Sequence, residues 1–166
     1  SRTWLRQPTD PVKKRRYRKV LNPTLTKEQV EQGIQAVDKS EVIGNIDSIT
    51  EQGIAILVEG KFDQYTLGDI GACLHGKHMS DSQYIKLIQR KSQIDTIVVC
   101  LDGDALKQGI VTADRLNKHY SEVLICRLPE DADPNSLGAR KMSEIIADAE
   151  LYNNRYKIKA KLRGWI

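Results

Sequence analysis

Two apolar runs, each closed by an acid and a glycine, constrain this chain more than any other feature. The first reads Gly53-Ile54-Ala55-Ile56-Leu57-Val58-Glu59-Gly60 and the second Thr96-Ile97-Val98-Val99-Cys100-Leu101-Asp102-Gly103-Asp104. Apolar runs without alternation read as strands buried on both faces, as in parallel sheets. An acid just past such a run sits at the carboxyl edge of the sheet, where open α/β folds collect their ligands. The pattern therefore predicts that Glu59, Asp102 and Asp104 meet at one rim. Three carboxylates in one place repel one another unless a cation holds them. Hard oxygen donors with few other candidates nearby point to Mg²⁺ or Mn²⁺.

The segments around these runs alternate. Strands are expected at 54–58, 72–74, 96–101 and 122–128, and helices at about 62–67, 80–88, 106–119 and 136–151. Ser80-Asp81-Ser82-Gln83 reads as the cap of the second of these helices, with Tyr84, Ile85, Leu87 and Ile88 as its apolar positions. Such βαβα order implies a mainly parallel four-stranded sheet with right-handed crossovers and helices on its faces. Upstream, Thr26-Lys27-Glu28-Gln29 fits a capping box, and Val30, Ile34 and Val37 recur at helical spacing. Three parts follow: a basic N-terminal segment with a linking helix over 1–50, the α/β domain over 51–151, and a basic tail over 152–166. In the tail, Tyr156, Ile158, Ala160 and Leu162 alternate with cations. That pattern would give an edge strand or an extended arm.

Charge is segregated. Lys/Arg dominate the first 20 residues, where Asp10 is the one acid, and Arg155, Lys157, Lys159, Lys161 and Arg163 close the chain without an acid among them. The middle is correspondingly acidic. Basic ends around an acidic centre suit a polyanion held by its flanks while metal ions neutralise the centre; solvated tails are the plainer reading. No apolar run has the ~20 residues of a membrane helix, and no signal-peptide pattern opens the sequence. A cytoplasmic setting is expected. The start at Ser1 suggests a piece of a longer polypeptide. Cys73, Cys100 and Cys126 read as buried free thiols.

Val58-Glu59-Gly60-Lys61-Phe62-Asp63 and Leu101-Asp102-Gly103-Asp104-Ala105 together resemble the TOPRIM domain shared by bacterial-type primases, topoisomerases and some nucleases. More of the chain is similar to the primase branch. Leu128-Pro129-Glu130-Asp131-Ala132-Asp133-Pro134-Asn135 looks like its third acidic motif, Ser1-Arg2 like the end of its Gly-Arg motif, and Lys19-Val20-Leu21-Asn22-Pro23 like its Lys-Tyr-Leu-Asn stretch. Lys39-Ser40-Glu41-Val42-Ile43-Gly44 is similar to its Lys-Ser…Tyr-Gly stretch. The likeness spans about residues 1–140, in the family's order. The sequence departs from it at Val20, at Leu106-Lys107 in place of Ala-Gly, and at Asn135, where a second aspartate is usual.

The resemblance implies a TOPRIM fold and template-directed synthesis of short RNA primers on single-stranded DNA from nucleoside triphosphates, beside a replicative helicase. Glu59, Asp102 and Asp104 would be catalytic and would hold Mg²⁺ or Mn²⁺, with Asp133 adding a fourth carboxylate. Lys39 would reach nucleotide or template, and Arg2 and Lys19 would line the DNA track. Lys61 would meet a phosphate, whereas Lys107 reads as solvated. Asp63, one helical turn past Glu59, reads as an anchor for the Glu59 loop. A nuclease using the same acids with water as nucleophile, and a binding module with a degenerate site, remain as alternatives. Each acid also has a plain structural reading: Asp104 as a cap for the next helix, Asp133 as part of an ordinary Asp-Pro turn.

Overall fold

A computed structural model describes residues 26–33 and 38–166. Arg2, Lys19, the basic run at 13–19, Ile34 and Val37 lie outside the described residues. The chain divides at residue 36 into two units. In the first, helix α1 (Lys27–Glu31) begins at the expected box: Thr26 Oγ1 accepts from the Gln29 N–H and Gln29 Oε1 accepts from the Thr26 N–H.

The second unit opens with a 3₁₀ turn (Lys39–Glu41) and helix α2 (Ile46–Gln52). Strands and helices then alternate: β1 (Ile54–Val58), α3 (Lys61–Leu67), β2 (Gly71–Cys73), α4 (Asp81–Gln89), β3 (Thr96–Val99), α5 (Leu106–Leu116) and β4 (Glu122–Ile125). Helix α6 (Pro134–Ala147), β5 (Glu150–Leu151) and α7 (Asn154–Leu162) complete it. The sheet order is β2-β1-β3-β4-β5, parallel except for the antiparallel β5. The fold is thus the expected mainly parallel α/β sheet flanked by helices. It has five strands and not four, because the chain leaves α6 early enough for Glu150 and Leu151 to pair with β4.

The unbroken apolar runs are explained by burial on both sides. Ala55 and Leu57 join one core with Ile97, Val99, Val123 and Ile125, while Ile56 and Val58 join a second with Val98, Cys100, Cys126 and Met142. All three cysteines are free and buried. Gly44, ahead of α2, is bridged to Cys73 at the end of β2, and Ile43 and Ile49 enter the first core.

The tail is a helix, not the extended arm its alternation predicts. Asn153 Oδ1 accepts from the Tyr156 N–H and caps α7. Tyr156 and Ala160, four apart, are buried, whereas Ile158 and Leu162 stay exposed. Only two of the four alternating positions, Tyr156 and Ala160, share a helix face, and the rings of Tyr152 and Trp165 pack against Tyr156 there. Among the described residues, no helix is long and apolar enough to cross a membrane.

Candidate active site at the carboxyl rim

Glu59 follows β1 and Asp102 follows β3, so parallel neighbours deliver both to one edge of the sheet. The Asp102 N–H donates to Glu59 Oε1 at 3.3 Å. Burial first, and then the charge of Asp102, push the Glu59 carboxyl up to about 7. Burial also raises Asp102 to about 6, followed by the charges of Asp63, Asp133 and Asp104. These acids feel one another strongly, as the sequence predicts. Asp102 Oδ1 is buried with no hydrogen-bond partner. A buried carboxylate oxygen left unpartnered is costly.

Gly103 sets the rim by close approach. A Cβ there would lie 1.7 Å from the Pro129 carbonyl oxygen, and the Gly103 N–H donates to the Ala132 oxygen at 2.9 Å. The close approach that glycine permits is therefore to the chain's own β4–α6 loop, and it brings Asp133 within electrostatic reach of Asp102.

Asp133 also caps α6: its Oδ1 accepts from the Ser136 N–H at 2.6 Å, the turn role the Asp-Pro pair allows. Asp104 does not cap α5; its carboxylate pairs with Lys77 instead. Buried Asp63 is the anchor the sequence predicts. Its Oδ2 accepts from the Gly60 N–H at 3.0 Å and its Oδ1 from the Asn135 N–H at 3.1 Å, tying the Glu59 loop to the start of α6. The amide at Asn135 is thus used by its backbone, whatever the side chain.

A basic group surrounds His75. Lys61 donates to Gln64 Oε1 at 3.0 Å and stands over the Tyr65 ring. Burial lowers the pKa of His75, and the charges of Lys61 and Lys39 lower it further. Lys39 and Lys61 therefore both act at His75. The Cys73 thiol donates to the Glu59 carbonyl oxygen at 3.3 Å, which links the two groups of residues. Lys107 is exposed.

Two roles were not read from the sequence. Gln83 is buried, and its Nε2 donates to the carbonyls of Val42 and Leu74 at 2.8 and 2.7 Å, with the Lys39 carbonyl at 3.3 Å. The Ser80 hydroxyl and the Lys86 ammonium donate to the next two carbonyls, of Ser40 and Glu41. Positions 80, 83 and 86 share one face of α4, and that face grips the turn carrying Lys39. Gln83→Leu is expected to destabilise the protein by about 2–4 kcal/mol, because buried carbonyls lose their donor. Urea denaturation checks this; an unchanged midpoint would show that the turn holds without Gln83. The second role is that of Lys77, which donates to Asp104 Oδ2 at 2.5 Å. It sits in the His75-Gly76-Lys77-His78 loop after β2.

Among the described residues, no three His, Cys, Asp or Glu side chains form a ready-made metal cage. Mg²⁺ keeps several waters and is held by one or two carboxylates plus substrate phosphates. Glu59 and Asp102, with the orphaned Asp102 Oδ1, are a donor set of that kind.

No family model matches the chain, and no curated protein matches it. Its fold does match solved structures. One is the Aquifex aeolicus primase (zinc-binding and RNA polymerase domains), at 21% identity, TM-score 0.60, over 78% of this chain and 36% of that one. Another is the RNA polymerase domain of Mycobacterium tuberculosis primase DnaG, at 20% identity, TM-score 0.56, over 69% of this chain and 43% of that one. The chain spans less than half the length of either structure. At this identity the likeness establishes a common fold with parts of these bacterial primases.

Proposed function

We propose that this chain is the TOPRIM part of a bacterial-type DNA primase core, joining ribonucleotides on a single-stranded DNA template with a divalent metal. The observation that carries this reading is the Glu59–Asp102 pair, two carboxyls raised first by burial and then by neighbouring acids, with a buried unpartnered oxygen on Asp102. The fold held in common with primase structures supports it, as does the ordered set of motifs in the sequence.

Glu59 and Asp102 would hold the ion, and Asp104 would join them on release from Lys77. Asp133 would add its charge while continuing to cap α6. A bound Mg²⁺ or Mn²⁺ would neutralise charge on the α-phosphate and lower the pKa of the attacking 3′-hydroxyl. Lys39 and Lys61, which both act at His75, would take phosphate oxygens beyond the acids. Arg2 and Lys19 would serve the template strand through its phosphates. Asp63 and Gly103 position the two acid-bearing loops and touch no substrate.

The test uses the full-length protein with single-stranded DNA, nucleoside triphosphates and Mg²⁺ or Mn²⁺. Short RNA products are expected, and none without the metal. Cleavage of the DNA without synthesis would move the assignment to a TOPRIM nuclease, and binding with neither activity to a non-catalytic module.

A further inference from the structure

The ammonium of Lys77 lies among the acids of the rim. It is hydrogen-bonded to Asp104 at 2.5 Å, and its charge is felt at Glu59 and at Asp102. The loop that carries it leaves the end of β2 in an uncommon conformation, with φ of 60° at His75 and 157° at Gly76. His75 is held there by its own N–H donating to Cys73 Sγ at 3.3 Å. The lysine is thus placed by a half-buried loop tied to the buried Cys73. The pair it makes is nonetheless open to solvent, with side chains 39% and 58% exposed for Lys77 and Asp104. An exposed pair of this kind is easily exchanged.

We infer that Lys77 is the resting counter-cation of the rim acids, and that it trades Asp104 for the polyphosphate oxygens of the nucleotide when a divalent ion binds. This rests on the metal-dependent reading above and adds a positioning residue to it. One monovalent charge among three carboxylates leaves the site net negative and keeps it receptive to a divalent ion. Once such an ion is present, like charge disfavours the ammonium beside it, and an anionic triphosphate on the same ion is the partner within reach. The exchange moves no covalent bond and no proton.

The experiment measures Mn²⁺ binding to the nucleotide-free protein, by electron paramagnetic resonance of the free ion, in the wild type, Lys77→Gln, Lys77→Arg and Asp102→Asn. Dissociation of ATP at saturating Mn²⁺ is measured on the same proteins. Lys77→Gln is expected to bind Mn²⁺ about fivefold tighter than the wild type, the worth of an exposed ion pair, and to bind ATP about tenfold weaker. Lys77→Arg should restore most of the ATP affinity. If Asp102-dependent Mn²⁺ binding exists but Lys77→Gln leaves it unchanged or weaker, the inference falls and the metal reading stands. Unchanged ATP affinity in Lys77→Gln also overturns it. If the wild type takes up no more Mn²⁺ than Asp102→Asn, the metal reading itself fails and this inference with it.

Discussion

Glu59→Gln is expected to abolish primer synthesis while making the metal-free protein more stable at pH 8. The two effects share one cause. Burial and the negative charge of Asp102 raise the Glu59 carboxyl to about 7, with Lys77 opposing and Asp104 adding. Asp102 rises to about 6 against Asp63, Asp133 and Asp104, again opposed by Lys77. Both acids hold their protons more tightly folded than unfolded. Their contribution to stability is therefore fully present below the ordinary carboxylate range, near pH 4, and is lost as pH rises through about 7. Above that window the folded protein carries charges it would rather not hold.

Each carboxyl stays partly hydrated, so solvent screening reduces the effect to on the order of 1 kcal/mol per group. Glu59→Gln should accordingly raise the Tm at pH 8 by about 2–4 °C in EDTA. Asp102→Asn should do the same. In Mg²⁺ the wild type should recover the difference and the variants should not, since the ion is what offsets the repulsion. Synthesis should fall by at least ~10³ in either variant, the usual cost of removing a group that acts on the transition-state charge. Retained synthesis would sink the assignment of the acids. A Tm lower than that of the wild type in EDTA would sink the electrostatic account.

How much of this was legible in the sequence depends on whether a residue's role is set locally. The acids at the strand ends were readable because an apolar run that stops in a carboxylate has one natural place in a parallel sheet. Asp63 was readable as an anchor because its spacing from Gly60 is that of a helix start, and its side chain does bind that N–H. Its second bond, to the amide of Asn135, joins residues 72 apart and has no local trace.

The tail failed for a different reason. Tyr156, Ile158, Ala160 and Leu162 alternate as a strand would, yet the chain is helical there: Tyr156 and Ala160 are buried beside Tyr152 and Trp165, and Ile158 and Leu162 are left exposed. Lys77 was passed over because its reach to Asp104 depends on the left-handed backbone at His75, which composition does not announce. On α4, Ile85 was read as an apolar core position and is exposed; Gln83 was read as part of the cap and is, but the carbonyls it also serves come from elsewhere in the chain.

Gly103→Ala is expected to be among the most damaging single-methyl changes in the molecule. The added carbon would lie 1.7 Å from the Pro129 oxygen, 2.6 Å from its carbonyl carbon and 2.9 Å from the Glu130 carbonyl carbon. All three are backbone atoms, so no side chain can swing aside, and the β4–α6 loop must move as a unit. Moving it strains the Gly103–Ala132 hydrogen bond and shifts Asp133, whose charge is felt at Asp102. A loss of at least about 3 kcal/mol is expected, beyond ordinary overpacking because the obstacle is main chain. Gly109→Ala is the matched control. Its Cβ would meet Val99 Cγ1 at 3.6 Å, an ordinary contact, and it sits inside α5, where alanine is favoured over glycine by about 1 kcal/mol. Urea midpoints should therefore move in opposite directions for two identical substitutions six residues apart. Mn²⁺ binding should be lost or weakened only in Gly103→Ala. If both variants unfold at the wild-type midpoint, the two loops do not press on each other at Gly103, and the physical link between the acids after β3 and the acid after β4 is gone.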